Sequence, residues 1–284
     1  MMNEIRILPV SEVTECIAKL CIQANTLLPG TVRSWLKAAA EQETYPPAQA
    51  QLSLIGQNAD IAKQECVPIC QDTGMAVVYA EIGQDVHLVG GALEDAVNEG
   101  IRQGYEAGYL RKSVVADPLH RKNTGDNTPA ILHVRLIEGA KVKLTVAPKG
   151  FGSENMSRHA MLTPAEGLAG VKQFVLETAQ KAGANPCPPM ILGVGIGGNF
   201  ERVAQLAKDA LVELREGPHP DPFYGALEEE LLEAVNALGI GPQGFGGHTT
   251  ALKVRIKAFP THIAGLPVAV NVGCHVTRHA SAWL

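Results

Sequence analysis

The sequence predicts an α+β fold with mixed helices and antiparallel sheets. Two pairs of alternating apolar and polar segments, at 130–147 and 250–272, favour antiparallel strands. The sequence Thr-Pro-Ala-Glu at 163–166 has the form of a helix capping box, and apolar residues at helical spacing follow it. Because no internal repeat or linker separates these patterns, we expect a single domain over residues 1–284.

The first half of the chain begins with helical patterns and continues with strand patterns. Apolar residues recur at helical spacing near the N-terminus, whereas the strand segments are short apolar or alternating runs bounded by turn residues. The elements predicted here are helices over 11–43, with a turn at 29–30, and over 93–105, and strands over 75–82, 130–137 and 141–147. The last two strands are joined at Glu138-Gly139, which predicts a β-hairpin.

The second half opens with the capping box, in which Thr163 is the predicted N-cap, and its helix should end at Gly183. Asn199 is the predicted N-cap of the next helix. The other elements are strands over 190–194, 250–258 and 267–272, helices from 199 to about 216 and over 226–238, and a glycine-rich loop over 239–247. The last two strands alternate as paired strands do.

The charge of the chain excludes several classes of function. Lys and Arg number 24 against 29 Asp and Glu, a net charge of −5, and no basic block offers a site for nucleic acid or lipid headgroups. The first ten residues lack the apolar core of a secretory signal, and nowhere do about eighteen apolar residues run together. We therefore expect a soluble, cytoplasmic protein that acts on a small molecule, without nucleic-acid or membrane partners.

The six cysteines are too few for a disulfide scaffold in a chain of 284 residues. Cys16 and Cys21 lie on the apolar stripe of the first helix, where a thiol packs as a small hydrophobic group. Cys66 and Cys70 flank three residues, but a cluster for radical chemistry would need a third cysteine at position 73, which is Thr73. That kind of site is therefore excluded.

Cys70, Cys187 and Cys274 differ from the others because each lies in a loop rich in residues that break regular structure. The loops read Ile69-Cys70-Gln71-Asp72-Thr73-Gly74, Asn185-Pro186-Cys187-Pro188-Pro189 and Asn271-Val272-Gly273-Cys274-His275. Rigid loops can aim ligands, so three thiolates far apart in sequence could bind one metal cluster. The spacing alone does not decide between this and three independent thiols.

Glycines at 193, 195 and 198 match the G-x-G-x-x-G pattern of dinucleotide-binding proteins, between a predicted strand and a helix. A dinucleotide site also needs an acidic residue at the end of a second strand about twenty positions on. Glu213 and Glu216 instead fall inside the same predicted helix. We therefore interpret the loop as close packing of helix on strand, or as helix N-terminal amides facing a cluster or substrate.

Five longer segments resemble class I fumarases and L-tartrate dehydratases, in the order in which that family has them. The resemblance runs from about residue 10 to the end and corresponds to the cluster-binding half of the family's fold. The segments are Cys70-Gln71-Asp72-Thr73-Gly74, Asn123-Thr124-Gly125-Asp126-Asn127-Thr128-Pro129-Ala130, Lys149-Gly150-Phe151-Gly152-Ser153-Glu154-Asn155, Gly195-Ile196-Gly197-Gly198-Asn199 and Pro260-Thr261-His262-Ile263-Ala264-Gly265-Leu266-Pro267.

The resemblance implies that three cysteines bind a [4Fe-4S] cluster, and the matching positions are Cys70, Cys187 and Cys274. A cluster held by three thiolates leaves one iron open, which can bind a substrate carboxylate and hydroxyl as a Lewis acid. The implied substrate-binding residues are Gln71, Asp72, Arg111, a glycine of the 149–153 loop (Gly150 or Gly152) and His262. His262 and Asp72 are the implied catalytic residues.

Each of these side chains has a chemical role that fits a diacid substrate. Arg111 would grip one carboxylate through its planar fork, and Gln71 would donate a hydrogen bond to the substrate. Asp72 would orient a water or hydroxyl, and His262 would hydrogen-bond the leaving oxygen or supply a proton. The competing interpretations are a solvated arginine, an ordinary turn aspartate and a structural histidine.

The resemblance also implies a smaller β subunit that carries the rest of the active site, in an α2β2-like assembly. The expected reaction is reversible hydration and dehydration of a C4 dicarboxylate such as fumarate and malate, with L-tartrate or another hydroxy-diacid as the alternative substrate. Alternatives from other classes are a non-catalytic iron-sulfur sensor and, less favoured, a nucleotide-binding module. The general base is expected on the partner chain.

Overall fold

A computed structural model describes residues 5–215 and 217–284, and its contacts divide the chain into two compact units. The first unit comprises the described residues up to Pro29 together with Ala59–Phe151 and Arg278–Leu284, and the second comprises Gly30–Asn58 and Gly152–Thr277. Each unit contains helices and a four-stranded sheet, so the α+β class is confirmed. A single domain over residues 1–284 stays a prediction.

In the first unit, helix α1 (Val10–Thr26) packs against strand β5 (Val142–Lys149) and helix α4 (Leu93–Ala107), and apolar side chains of these elements and of β2 (Met75–Gly83) form most of the core. Two glycines of α4 let the helices approach closely, because a Cβ at Gly100 or Gly104 would lie 2.6 Å or 2.7 Å from a carbonyl oxygen of α1. The elements of this unit are β1 (Arg6–Pro9), α1 (Val10–Thr26), β2 (Met75–Gly83), β3 (Val86–Val89), α4 (Leu93–Ala107), β4 (Ile131–Ile137), β5 (Val142–Lys149) and β10 (Ala280–Trp283).

The four-stranded sheet of the first unit has the order β10-β5-β2-β4, with β2 parallel to β4 and antiparallel to β5. The strands predicted on either side of Glu138-Gly139 are confirmed, but the hairpin between them is wrong because β2 lies between them. Two strands separated by a third are about 9.6 Å apart, and four connecting residues can span roughly 13 Å. Position 83 has room only for glycine, since a Cβ there would lie 2.1 Å from the carbonyl oxygen of Gly139.

The second unit has a core formed by apolar residues of β7 (Met190–Gly197), β8 (Ala251–Phe259), β9 (Leu266–Gly273) and the helices that pack on them. Helices α3 (Pro46–Glu65) and α5 (Phe151–Glu154) each contain a boundary between the units. The other elements of the second unit are α2 (Gly30–Gln42), β6 (Arg158–Leu162), α6 (Gly167–Ala182), β7 (Met190–Gly197), α7 (Phe200–Val212), α8 (Pro222–Asn236), β8 (Ala251–Phe259) and β9 (Leu266–Gly273).

The sheet of the second unit has the order β6-β9-β7-β8, with β7 parallel to β8 and antiparallel to β9. The predicted strands β8 and β9 are confirmed, but they do not pair with each other, because β7 lies between them. The connection again crosses the end of the central strand at a glycine. A Cβ at Gly197 would lie 2.0 Å from the carbonyl oxygen of Phe259.

The glycines of the G-x-G-x-x-G pattern allow helix α7 to lie directly on β7. A Cβ at Gly193 would lie 2.2 Å from the carbonyl oxygen of Ala207, and one at Gly195 would lie 2.2 Å from that of Val203. Any larger residue would push the helix off the strand. The interpretation of this loop as close packing is confirmed.

The predicted helix ends agree with the structure at most positions. The side chain of Asn199 accepts a hydrogen bond of 3.0 Å from the backbone of Arg202, so its role as N-cap is confirmed. Helix α7 ends earlier than predicted, at Val212, and Glu216 lies outside the described residues. Among the residues that the structure describes, no helix is long and apolar enough to cross a membrane.

The capping-box segment has the predicted contact but a later helix start. The Glu166 carboxylate accepts hydrogen bonds from the backbone N–H and the hydroxyl of Thr163, at 2.7 and 2.8 Å. Helix α6 begins only at Gly167, so Thr163 precedes the helix by a turn and is not its N-cap. The predicted end at Gly183 is confirmed, since this residue caps α6 with a φ of 55°.

Two cysteines of α1 have the packing role predicted for them. Cys16 and Cys21 are buried in the core of the first unit. Burial raises the pKa of both thiols, that of Cys21 to about 12. A thiol that stays protonated is a poor metal ligand, because ligation requires the thiolate.

Candidate active-site loops

The three candidate cysteine ligands lie in loops at the ends of central strands. Cys70 belongs to the first unit and lies just before β2, whereas Cys187 and Cys274 belong to the second, just before β7 and just after β9. Cys187 is exposed and the other two are half-buried. Among the described residues, no group of three or more His, Cys, Asp or Glu is arranged to hold a metal ion.

The turn that contains Cys70 is held by main-chain and side-chain hydrogen bonds from distant parts of the first unit. The backbone N–H of Ile69 donates to the carbonyl oxygen of Asn25 at 2.9 Å. The Arg278 guanidinium, 4% exposed, donates to the carbonyl oxygen of Asp72 at 2.6 Å. The buried hydroxyl of Tyr105 donates to the carbonyl oxygen of Thr73 at 2.8 Å, and burial raises the pKa of this tyrosine. These contacts fix the backbone on both sides of the thiol.

Asp72 connects this turn to the loop that follows β5. One carboxylate oxygen accepts from the backbone N–H of Gly74 at 3.0 Å, and the other accepts from that of Phe151 at 2.8 Å. A Cβ at position 150 would lie 3.1 Å from the second oxygen, a tight contact, so the absence of a side chain at Gly150 helps the loop to pass close to the carboxylate. The turn interaction of Asp72 is thus present, and its catalytic role stays a prediction.

Arg111 is fixed beside the turn through its main chain, while its side chain is exposed. The Thr73 hydroxyl accepts from the Arg111 N–H at 2.8 Å and donates to the Arg111 carbonyl oxygen at 3.1 Å. This threonine is 2% exposed. Gln71 is exposed on the same turn, with its side-chain oxygen 3.7 Å from the Cys70 sulfur. The first unit therefore brings Cys70, Gln71 and Arg111 together on one rigid framework.

Asn127 holds the turn and the Arg111 segment from the other side. Its side-chain amide donates to the carbonyl oxygen of Gly74 at 3.1 Å, and its side-chain oxygen accepts from the backbone N–H of Ser113 at 2.7 Å. The residue is completely buried and has a φ of 64°. Asparagine tolerates this left-handed conformation better than most residues. The motif at 123–130 therefore positions the neighbouring site residues.

Asp126 stabilises the same motif. Partial burial alone would raise the pKa of its carboxyl group, but hydrogen bonds from Thr128 and Arg102 outweigh this effect and lower the pKa to about 2. One carboxylate oxygen accepts from the backbone N–H and the hydroxyl of Thr128, at 3.0 and 2.7 Å. The other accepts from Arg102 at 3.1 Å. The ionised form of Asp126 therefore maintains the loop.

In the second unit, the loops of Cys187 and Cys274 are in direct contact. The carbonyl oxygen of Cys187 lies 2.8 Å from the ring Nδ1 of His275, and it accepts a longer bond, 3.4 Å, from the backbone N–H of the same residue. His275 follows Cys274 directly. The backbone at Cys187 has a φ of 53°, which is uncommon for a residue with a side chain. Two of the three candidate thiols therefore lie on loops that the fold connects.

A polar network supports the strand that leads to Cys274. The Asn271 amide of β9 donates to the Glu154 carboxylate and to the Ser157 hydroxyl, both at 2.8 Å, and Lys208 forms an ion pair with Glu154. The segment after Gly152 is thereby held against β9. A Cβ at Gly152 would meet only the carbonyl oxygen of Asn185, at an ordinary 3.6 Å. Packing thus favours glycine at position 150 more than at 152.

His262 lies on the exposed connection between β8 and β9. The connection is anchored where the Thr261 hydroxyl donates to the carbonyl oxygen of Gly198 at 2.8 Å. The backbone N–H of Ala264 donates to Nδ1 of His262 at 3.2 Å, so the neutral ring carries its proton on Nε2. His262 is therefore oriented to donate a hydrogen bond, or a proton when charged, from Nε2.

The structure adds positioning residues that the sequence analysis missed, among them Thr73, Asn127 and Arg278. None carries a recognisable catalytic signal, because each acts through hydrogen bonds to the backbone of a candidate residue or its neighbour. The one available clue was that Thr73 and Asn127 fall inside the motifs that carry the resemblance.

Comparisons with known proteins extend over almost the whole chain. Residues 14–283 match the family model described as fumarate hydratase (Fumerase). A Methanocaldococcus jannaschii protein, provisionally named L(+)-tartrate dehydratase subunit alpha, is 38% identical over 277 residues, which cover 95% of this chain and 96% of that protein. The L(+)-tartrate dehydratase subunits alpha of Escherichia coli K12 and Shigella sonnei are each 30% identical over 275 residues, covering 96% of this chain and 90% of theirs.

Proposed function

This chain belongs to the fumarate hydratase (Fumerase) family of hydro-lyases, and from that premise we propose that it is the cluster-bearing subunit of a two-subunit enzyme. It would act with a smaller β subunit on a C4 diacid. The observation that carries the proposal is the set of three cysteines on anchored loops, at the positions that match the family's ligands. The proposed cofactor is a [4Fe-4S] cluster bound by Cys70, Cys187 and Cys274.

The residues present fit such a cluster in their chemistry. Thiolates are the ligands that iron-sulfur clusters prefer, and none of the three thiols is fully buried. The contact between the Cys187 carbonyl and His275 supports a shared role for two of the loops. When bound, a cluster with three protein ligands supplies an open iron that acts as a Lewis acid on the substrate's carboxylate and hydroxyl.

The other candidate side chains would bind and orient the substrate. Arg111, with a fixed main chain and an exposed guanidinium, is suited to bidentate binding of the far carboxylate. Gln71 would donate to the near end of the substrate. His262 lies on the β8–β9 connection, at the end of the second sheet opposite the Cys187 and Cys274 loops. Its Nε2–H would therefore act from a second copy of the chain in the assembly and hydrogen-bond the hydroxyl that leaves as water. Asp72 has a carboxylate that already accepts two backbone hydrogen bonds, and its remaining lone pairs would orient a water or hydroxyl.

The substrate class is a C4 hydroxy-diacid and its dehydration product. The family's description favours malate and fumarate, whereas the relatives named as tartrate dehydratase subunits favour L-tartrate. Arg111 and His262 would serve both kinds of substrate, because both present a carboxylate at each end and a hydroxyl between them. An anaerobic activity screen of the co-expressed pair against malate, fumarate and both tartrates distinguishes these candidates.

The proposed partner is a smaller β subunit, and the assembly an α2β2-like oligomer in the cytoplasm. The relatives are named as α subunits, and the chain spans at least 90% of their length, which supports an equivalent partner for this chain. We expect the chain alone to lack hydro-lyase activity and the added β subunit to restore it. If the isolated chain hydrated fumarate as fast as the complex, the base would lie within these 284 residues, and His262 would be the first to test.

The cluster assignment is tested by single cysteine replacements in anaerobically reconstituted protein. We expect about four irons per chain in the wild type, and loss of the cluster when Cys70, Cys187 or Cys274 is replaced by Ser. Serine variants of the buried Cys16 and Cys21 are the matched controls and should keep the cluster. Full iron content in the Cys187→Ser variant would refute the ligand assignment.

A non-catalytic iron-sulfur sensor is the second candidate function, and the same residues allow a decision. A sensor needs the cysteines but not the substrate-binding residues. Replacement of Arg111 should therefore abolish most turnover without lowering iron content in an enzyme, whereas a sensor would show no turnover in the first place.

A further inference from the structure

One residue of the glycine-rich loop after α8 has a backbone conformation that its side chain disfavours. Gln243 has a φ of 54° and a ψ of 16°, which is the left-handed region. Its loop contains five other positions with positive φ, and all five are glycines: Gly239, Gly241, Gly244, Gly246 and Gly247. Glycine would avoid the steric cost at position 243 as well. The retained side chain therefore points to a role that outweighs this cost.

The side chain of Gln243 contacts the loop that contains Cys187. Its amide Nε2 donates to the carbonyl oxygen of Pro188 at 2.8 Å, and its own backbone N–H donates to the same oxygen at 2.8 Å. The same Nε2 lies 3.1 Å from the ring Nδ1 of His275. A single amide thus touches the residue after Cys187 and the residue after Cys274.

Nδ1 of His275 has contacts with both the Cys187 carbonyl oxygen and the Gln243 amide, and the presence or absence of a proton on Nδ1 decides which contact is its hydrogen bond. Nδ1 of His275 cannot both donate to the Cys187 oxygen and accept from the Gln243 amide. Because the contact with the Cys187 oxygen is shorter, 2.8 Å, Nδ1 carries its proton and donates there. The Gln243 amide is satisfied by Pro188 and packs beside the ring. Gln243 and His275 therefore hold two consecutive carbonyl groups, those of Cys187 and Pro188.

The loop that carries Gln243 is itself firmly anchored within the second unit. The carboxylate of Glu43, 2% exposed, accepts from the backbone N–H groups of His248 and Thr249, at 2.9 and 3.1 Å. Burial would raise the pKa of Glu43, but these and further hydrogen bonds lower it, so the carboxylate stays ionised. The Gln243 amide is thus presented from a fixed base.

The first unit contains an equivalent arrangement, which strengthens the interpretation. Asn127 lies in the loop before β4, the parallel neighbour of the central strand β2, and Gln243 lies in the loop before β8, the parallel neighbour of β7. Both residues have a side-chain amide and a positive φ. Asn127 donates to Gly74, directly before β2, and Gln243 donates to Pro188, two residues before β7. The two units thus use the same means to hold a cysteine loop.

We propose that Gln243 is a positioning residue for the iron-sulfur cluster, whose amide holds the Cys187 loop against His275 and the Cys274 loop. This inference rests on the proposed function, because the cluster is what these two loops would bind. It predicts that loss of the amide weakens iron retention even when the backbone at position 243 becomes more relaxed. Gln243 itself would neither ligate iron nor contact the substrate.

Two substitutions separate the amide from the backbone. Gln243→Gly removes the side chain and relieves the left-handed strain, and Gln243→Glu keeps the shape but loses the N–H donors when ionised. Gln173→Glu is the matched control, because Gln173 is an exposed residue of α6 whose amide contacts only Glu177 among the hydrogen bonds of the described residues. Each full-length variant is reconstituted anaerobically with ferrous iron and sulfide, and iron content, the EPR spectrum after mild oxidation and the rate of iron loss in air are measured.

We expect both Gln243 variants to lose iron about tenfold faster than the wild type or the Gln173→Glu control, as is typical when a residue supporting a metal ligand is removed. The rate of Cys187 alkylation in the iron-free chain should also rise. If Gln243→Gly retained iron as well as the wild type, or Gln243→Glu did, the inference would be overturned while the cluster assignment stood. A wild type that assembles no cluster would overturn the proposed function, and this inference with it.

Discussion

Replacement of Thr73 by valine tests whether the main chain of Arg111 must be fixed. Valine has nearly the shape of threonine, so the substitution removes the hydroxyl with little change in packing. The Thr73 hydroxyl accepts from the Arg111 N–H at 2.8 Å and donates to the Arg111 carbonyl oxygen at 3.1 Å. Both hydrogen bonds are lost together in the Thr73→Val variant. The guanidinium itself is untouched.

The size of the effect follows from the environment of these groups. A hydrogen bond contributes about 1 kcal/mol, and a buried group left without a partner costs about 1–3 kcal/mol. Thr73 is 2% exposed, but Arg111 lies at the surface, where water can reach part of its backbone. We therefore expect the free energy of unfolding to fall by about 2 kcal/mol, which is near the lower limit of the cost of leaving the Arg111 N–H and carbonyl oxygen without their partner. A displaced Arg111 should also raise KM about tenfold, a loss of about 1.4 kcal/mol.

Unfolding of the full chain in guanidinium chloride measures the change in the free energy of unfolding. Steady-state kinetics of the complex with the β subunit measure the change in KM. Thr73→Ser is the matched control, since it keeps the hydroxyl and loses only a methyl group, at about 1 kcal/mol. KM should rise for the valine variant and stay near the wild-type value for the serine variant. A serine variant with an equally high KM, or a valine variant with the wild-type KM, would refute the positioning of Arg111 by this hydroxyl.

Three further predictions follow from the same loops. Arg111→Ala should raise KM and lower kcat/KM, with a loss of transition-state binding of roughly 2–4 kcal/mol. Arg111→Lys should recover little of this binding, because a point charge does not reproduce the planar fork. Neither variant should change the free energy of unfolding by more than about 0.5 kcal/mol. Since the pKa of Asp126 is about 2, below its ordinary 3.8, its stabilisation is complete above about pH 4 and lost toward pH 2. The stability difference between wild type and Asp126→Asn should shrink over that range in pH-dependent unfolding, and a constant difference would contradict the assignment. Air should inactivate the enzyme and ferrous iron with a reductant restore it, whereas full activity after prolonged aeration would argue against an open iron.

Most helices and strands were predictable from local sequence, although helix α3 and the short strands β1, β3, β6 and β10 were missed, and the order of strands in the sheets was not predictable. Alternation identified β4, β5, β8 and β9 correctly, because it reports only which side chains face the core. The alternation does not indicate which other strand pairs with the one that shows it. In both sheets an earlier buried strand lies between the two that follow each other in sequence. The clue was a glycine at the end of each central strand, Gly83 and Gly197, where the connection crosses.

The candidate site was predictable to a similar extent. Turn-rich loops singled out Cys187 and Cys274, and the structure places their loops in contact through His275. The residues that hold these loops were not predictable, because a side chain that bonds to a distant carbonyl leaves no local pattern. Gln243 is separated from Pro188 by more than fifty residues, and its left-handed backbone is not visible in a sequence that lacks Asn or Gly at that position.

The topology of the two sheets accounts for the positions of the three cysteines, Asp72 and Gly150, but not for Arg111, nor for a place near the cysteines for His262, which lies at the other end of the second sheet. In each unit a central strand, β2 or β7, has an antiparallel neighbour, β5 or β9. The loop before the central strand and the loop after its neighbour therefore meet at the same end of the sheet. In the first unit these are the Cys70 turn and the Gly150 loop, joined by Asp72; in the second they are the Cys187 and Cys274 loops, joined by His275. The parallel neighbour begins at that end too, and the loop before it supplies a side-chain amide in each unit. Cysteine loops built in this way derive their position from strand pairing, which explains how the candidate ligands Cys187 and Cys274, far apart in sequence, can be brought close without a local metal-binding motif.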